Sequence, residues 1–156
     1  MLKLTRKTEY ALLALGHLCH DDGGSATKVR EIANTYNIPF PVLAKVMQQL
    51  ARHNFVEPIK GAQGGYRLKV DPVEIDLWQF LEEMEGRSAI VGCFVDEACD
   101  QLPTCMIRSP LHIIDDTIKS VFHGMTLKDV IRPAVPFRGL ASATGTPSTS
   151  TTEIQA

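Results

Sequence analysis

The sequence predicts a mainly α fold with a small β-hairpin, in which a head of three helices and the hairpin precedes a long dimerisation helix. Three observations predict it. Apolar residues recur at spacings of three and four in separate stretches between residues 8 and 123. A glycine-rich run, Lys60-Gly61-Ala62-Gln63-Gly64-Gly65, divides two short strand-like runs. Beyond Pro133 the composition turns to Ala, Ser, Thr, Gly and Pro, which predicts a disordered tail over 133–156.

In chain order, a first helix is expected over Thr8 to His20, with Leu12, Leu15, Leu18 and Cys19 on one side. Cys19 then reads as a small core residue. Asp21 to Ser25 is a turn, and Thr27 is placed to cap a second helix that turns Val29, Ile32, Ala33 and Tyr36 inward. Asn37-Ile38-Pro39 breaks it. Pro41 opens a third helix to about His53, because proline suits a first turn that needs no N–H partner. Leu43, Val46, Met47 and Leu50 form its buried stripe. Strands follow at Phe55–Ile59 and Tyr66–Val70. Asp76 is placed to cap a fourth helix bearing Leu77, Phe80, Leu81 and Met84, and Gly86 ends it. Ser109-Pro110 starts a fifth helix to about His123, whose Leu111, Ile114, Ile118 and Val121 make a coiled-coil-like seam. Thr126–Ile131 adds a last turn.

The chain has 156 residues, 44% of them apolar, enough for a core. No apolar run approaches the roughly 20 residues of a membrane span. Its net charge of −2 hides a division. Residues 1–70 carry ten Lys and Arg against five acids, whereas residues 71–156 carry six against thirteen. The expected organisation is a basic head over 1–70, an acidic segment over 71–132 with cysteine loop and dimerisation helix, and the tail. Met1–Lys7 is basic, but the following Ala11–Leu15 falls short of the ~7–15 apolar residues of a secretory leader. A cytoplasmic location with reduced thiols is expected.

Three helices and a glycine-tipped hairpin form a winged helix-turn-helix, and its third helix suits the DNA major groove, about 12 Å wide. On that helix Pro41, Lys45, Gln48, Gln49 and Arg52 face outward, with Gln48 and Gln49 suited to adenine edges and Lys45 or Arg52 to guanine or phosphate. Lys60, Gln63, Gly64 and Arg67 of the wing, with Arg6, Lys7 and Lys28, complete the candidate contact set for double-stranded operator DNA. A plain solvated helix face is the bland alternative for Lys45–Arg52. The preceding break, the hairpin and the positive half-chain weigh against it. Catalysis is not indicated: there is no phosphate-binding loop or Ser/His/Asp order, and His17, His20, His53, His112 and His123 are dispersed.

Cys93, Cys99 and Cys105 are spaced by five intervening residues. That lacks the tight knuckle of most zinc ribbons and lets one loop wrap a larger object such as an iron–sulfur cluster. The alternative is three unrelated thiols.

The chain resembles the Rrf-two family of bacterial transcription regulators. The likeness runs through Leu4-Thr5, Tyr10-Ala11, Ile32-Ala33, Pro41–Leu50, Gly61-Ala62-Gln63-Gly64-Gly65-Tyr66-Arg67-Leu68, the cysteines and Thr126–Val130. Pro39 and Pro41 around Phe40, and Ala44 in place of a glutamate, depart from it and bear on the operator sequence. The resemblance implies a homodimeric repressor without membrane association, holding a [2Fe-2S] or [4Fe-4S] cluster on Cys93, Cys99 and Cys105. In one type of member the fourth ligand is a histidine three residues after the last cysteine, where this chain has Arg108. In another it is a carboxylate near the start of the first helix of the other subunit, which corresponds to Glu9. His112 competes with Glu9 if the fifth helix starts early, and Pro110 argues against that start. A cluster-free thiol switch on the same cysteines, or a protein–protein adaptor, are the other readings.

Overall fold

The computed structural model describes residues 4–20, 25–61, 63–86 and 100–131. The 133–156 tail lies outside them. The elements are α1 (Arg6–His20), α2 (Val29–Thr35), α3 (Phe40–Arg52), β1 (Val56–Ile59), β2 (Gly65–Leu68), α4 (Leu77–Glu85), a 3-10 turn at Leu102–Thr104, α5 (Arg108–His123) and α6 (Leu127–Ile131). This is the predicted mainly helical fold with a two-stranded wing.

Local chemistry accounts for most boundaries. Asn37 leaves α2 at φ 51°, a left-handed conformation that asparagine tolerates, and Pro39 stands directly ahead of α3. Asp76 caps α4, its Oδ1 accepting from the Gln79 N–H at 2.9 Å, and Gly86 ends the helix at φ 86°. Thr27 does not cap α2 as expected. Lys28 precedes the helix, while Thr27 is buried and exchanges both backbone hydrogen bonds with Tyr66 at 2.9 Å. The wing therefore gains a third pairing partner from the approach to α2. Pro58 is opposite Tyr66 on the other side, at a pair that needs no N–H from it.

The core gathers Leu15 of α1, Ile32 of α2, Leu43, Met47 and Leu50 of α3, Val56 of β1, and Phe80 and Met84 of α4, all fully buried. Phe55 meets Phe80 edge-on with centroids 5.2 Å apart. Burying a side chain the size of Phe80 contributes roughly 1.5–3 kcal/mol. Leu77, Leu81 and Leu127 join the same cluster, so the core is continuous across residue 70, where the charge changes sign. Trp78 is buried as well, against the ring of Phe122. Cys19 is only half-buried, because α1 turns Ala11, Ala14, Leu15 and Leu18 inward instead.

The start of α4 is joined to the return of the chain. Leu77 N–H donates to Met125 O at 3.0 Å and Leu127 N–H to Ile75 O at 2.8 Å. Thr126 donates its N–H and hydroxyl to Asp129 Oδ2, both at 2.8 Å, closing the first turn of α6. That helix rests on α1 at Gly16, where a Cβ would lie 3.3 Å from Ile131 O.

Candidate nucleic-acid interface and cysteine segment

Two turns of constraint set the recognition face. The Asn37–Pro39 break turns the chain, and the Leu43, Val46, Met47 and Leu50 stripe seats α3 on the core. Pro41, Val42, Lys45, Gln48 and Arg52 are left outward. With Lys7 of α1, Val46 and Gln49 they line a groove of about 470 Å³. Six of the predicted contact residues thus meet in one place.

Gln48 is exposed, but Gln49 is half-buried and its amide donates to the carbonyls of Met84 at 3.2 Å and Glu83 at 3.5 Å. It ties α3 to the end of α4. His53, just after α3, adds to that tie, with Nδ1 3.3 Å from Glu83 Oε2. Glu83 did not figure in the sequence reading, and His53 only as the end of the third helix and one of the dispersed histidines. The Arg30 guanidinium also lies 5.3 Å from the Phe40 ring centroid at the mouth of α3, a cation–π contact that no local pattern announces.

On the wing, Lys60 and Gln63 are exposed, whereas Arg67 Nε donates to Glu57 Oε1 at 2.5 Å across the strands. Lys69 Nζ reaches Asn54 Oδ1 at 2.6 Å. Two of the wing glycines, Gly64 and Gly65, are required by close packing. A Cβ on Gly65 would lie 2.3 Å from Thr27 O, and one on Gly64 2.4 Å from Ile59 O. Lys28 is exposed beside this junction.

At the start of α1, Arg6 is 81% exposed and its guanidinium pairs with Glu9 Oε2 at 2.9 Å. Glu85, at the end of α4, reaches the same turn. Burial pushes its carboxyl up, but hydrogen bonds from Thr8 and Thr5 and the charge of Lys7 outweigh burial and hold it below the usual glutamate range. Asp76 behaves alike. Burial raises it, and the Gln79 N–H and His123, with Nδ1 2.8 Å away, bring it lower.

Of the three clustered cysteines, Cys93 and Cys99 lie outside the described residues. Cys105 is a free, half-buried thiol between the 3-10 turn and α5. The helix α5 begins at Arg108, ahead of the predicted start, with Pro110 as its third residue where a missing N–H costs nothing. The early start that Pro110 was expected to disfavour is therefore present, and His112 Nδ1 lies 3.4 Å from Asp116 Oδ2. Three thiols in one segment have the chemistry of iron–sulfur ligation. Among the described residues no three His, Cys, Asp or Glu side chains converge as a metal site.

The profile of the Rrf2 family, described as an iron-dependent transcriptional regulator, matches residues 4–133. The chain belongs to the Rrf2 family. Among Rrf2-type relatives, the HTH-type transcriptional regulator NsrR of Geobacillus kaustophilus is 31% identical over 141 residues, covering 89% of this chain and 96% of that protein. NsrR of Bacillus subtilis is 31% identical over 136 residues, 84% of this chain and 91% of that protein. Of solved structures, CymR, the global cysteine regulator of B. subtilis, superposes with TM-score 0.66 at 28% identity, over 84% of this chain and 97% of that one. IscR of T. potens, at 23% identity, TM-score 0.65 and 86% and 89% coverage, shares the fold. The NsrR relatives are transcriptional regulators, and so is this Rrf2 chain. No described helix is long and apolar enough to cross a membrane.

Proposed function

We propose that this chain is a homodimeric repressor whose affinity for double-stranded operator DNA is set by an iron–sulfur cluster on Cys93, Cys99 and Cys105, with Glu9 of the other subunit as fourth ligand. The observation that carries the DNA-binding half is the convergence of Lys7, Pro41, Lys45, Gln48 and Arg52 on one groove. Lys45 and Arg52 meet phosphate or guanine, Gln48 reads a base edge, and Lys60, Gln63 and Gly64 follow the backbone from the wing. Two heads joined through α5 then address half-sites about 34–36 Å apart.

The spacing of the three thiols and the NsrR relatives support the cluster. When bound, such a group supplies a site at which nitric oxide or oxidants act. Glu9 supports its part by position. It is a half-exposed carboxylate on α1, held near Arg6 rather than buried in its own core. A cluster-free thiol switch is the second reading, favoured by the likeness to the cysteine regulator CymR and by the free thiol of Cys105.

The visible absorption spectrum of anaerobically purified protein separates the two. Charge-transfer bands that disappear in Cys93→Ala are expected. A colourless protein whose DNA binding is lost with oxidant and restored by reductant would establish the second reading instead.

A further inference from the structure

The first turn of α1 has an unusual closure. Thr5, the residue ahead of it, accepts from the Glu9 N–H through its carbonyl at 3.0 Å and from the Thr8 N–H through its hydroxyl at 3.4 Å, the pattern of an N-cap. In a capping box, a glutamate three residues into the same helix returns the favour to the cap's own N–H. Here that third residue is Thr8, which has no carboxylate. The acceptor comes instead from another helix. Glu85 Oε1 takes the Thr5 N–H at 2.9 Å, the Thr5 hydroxyl at 2.7 Å and the Thr8 hydroxyl. Thr8 is fully buried at this junction.

One carboxylate oxygen thus collects three donors from a turn 77 to 80 residues away. Its negative charge also faces the positive end of the α1 dipole. Between the two threonines stand Arg6, exposed, and Lys7, which lines the recognition groove against α3. Gly86 follows Glu85 at once, and the chain there turns into the segment that carries Cys93 and Cys99.

We infer that Glu85 is a positioning residue for DNA binding, capping α1 from α4 so that Arg6 and Lys7 are held where backbone phosphates pass, and joining the root of the cysteine segment to that interface. The inference rests on the DNA-binding reading but not on a cluster. Any change that draws Gly86 away removes the acceptor from Thr5 and Thr8. The first turn then loses its fixed geometry, and its two cations lose theirs. Gln49 and His53, both held by the same end of α4, keep α3 in register with that movement.

The test is the salt dependence of binding by the full chain to duplexes that the wild-type protein recovers from a randomised pool. Each phosphate contact contributes about 0.9 to the slope of log K against log salt. Glu85→Ala is expected to lower that slope by about two units per chain, matching the Arg6→Ala/Lys7→Ala double variant. Added to that double variant it should change the slope no further. Glu85→Gln should keep the wild-type slope, since its amide oxygen accepts the same donors. Thr5→Val, which removes the hydroxyl but leaves Thr8 on Glu85, supplies the measurement if Glu85→Ala does not fold, and a shallower slope is expected there too. A lowered melting temperature with a wild-type slope in the alanine variant would overturn the inference, as would a further loss in the triple variant. A colourless protein leaves all of these readings intact, so failure of the cluster assignment and failure of this inference are distinguishable.

Discussion

Gln48 and Gln49 are adjacent, alike in chemistry, and opposite in placement. Gln48 projects from the outer face of α3, while the Gln49 amide is spent on the Met84 and Glu83 carbonyls. Gln48→Ala should therefore relax sequence preference at one base pair, by about 1–3 kcal/mol of discrimination, with the melting temperature unchanged. Gln49→Ala should do the reverse. It should cost roughly 1 kcal/mol of stability by thermal or urea melting, and preference among base-substituted duplexes should stay as in the wild type. The sequence did contain a cue to this split, since Gln49 lies one turn beyond Val46 and next to Leu50, at the margin of the buried stripe. Its partner was not legible, because a carbonyl 35 residues away leaves no trace in local spacing. The same holds for Glu85. An acidic residue at a helix end reads as solvated until the chain brings Thr5 and Thr8 to it. Because its neighbours hold the Glu85 carboxyl below the usual glutamate range, this contact is stabilising at neutral pH, with the contribution falling away as pH drops through the usual carboxylate range, about pH 4, and below.

Among the elements, the wing shows how a motif can be read correctly and explained incompletely. The hairpin and its glycine tip were legible from the two β-rich runs and the glycines between them. The reason for Gly65 was not, because it lies in the approach to α2. Thr27 passes so close to β2 that any side chain at 65 meets its carbonyl. Gly65→Ala is expected to cost about 1–3 kcal/mol and to weaken DNA binding beyond that loss, by unseating the wing from α2. Thermal melting together with anisotropy titration checks this, and a fully stable variant with intact affinity would refute it. The seam of α5 was half legible. Leu111 and Ile118 are half-buried, while Ile107, Ile114 and Val121 are exposed at intervals of seven, and Met106 and Ile113 are exposed as well. The spacing of apolar residues located the stripe. Which of its edges faces outward was decided by Trp78 and Phe122, from packing between helices.

For the whole molecule, that exposed stripe and the charge division belong together. Ile113 is 68% exposed on α5 and Met106, just ahead of that helix, 91%, while Phe122 and Lys119 commit another side of α5 to Trp78 of α4. In the dimer proposed above, a second copy on this stripe sets two basic heads side by side. Ile114→Lys is expected to give a monomer by analytical ultracentrifugation, with binding to a two-half-site duplex reduced to that of a single half-site. A variant that sediments as a dimer would place the interface elsewhere. The division of charge was visible in the sequence at residue 70, yet the core crosses that point through Phe80 and Leu127. Charge is a local property of the chain, whereas burial depends on which distant segments fold against each other.

The closure of α1 by Glu85 has a consequence in time. Thr5 leaves the ribosome 80 residues ahead of its acceptor. At about 5–20 residues per second that is roughly 4–16 s of synthesis. Through that interval the turn bearing Arg6 and Lys7 is still unfastened. On the positioning role inferred for Glu85, the growing chain is handicapped for DNA until α4 exists.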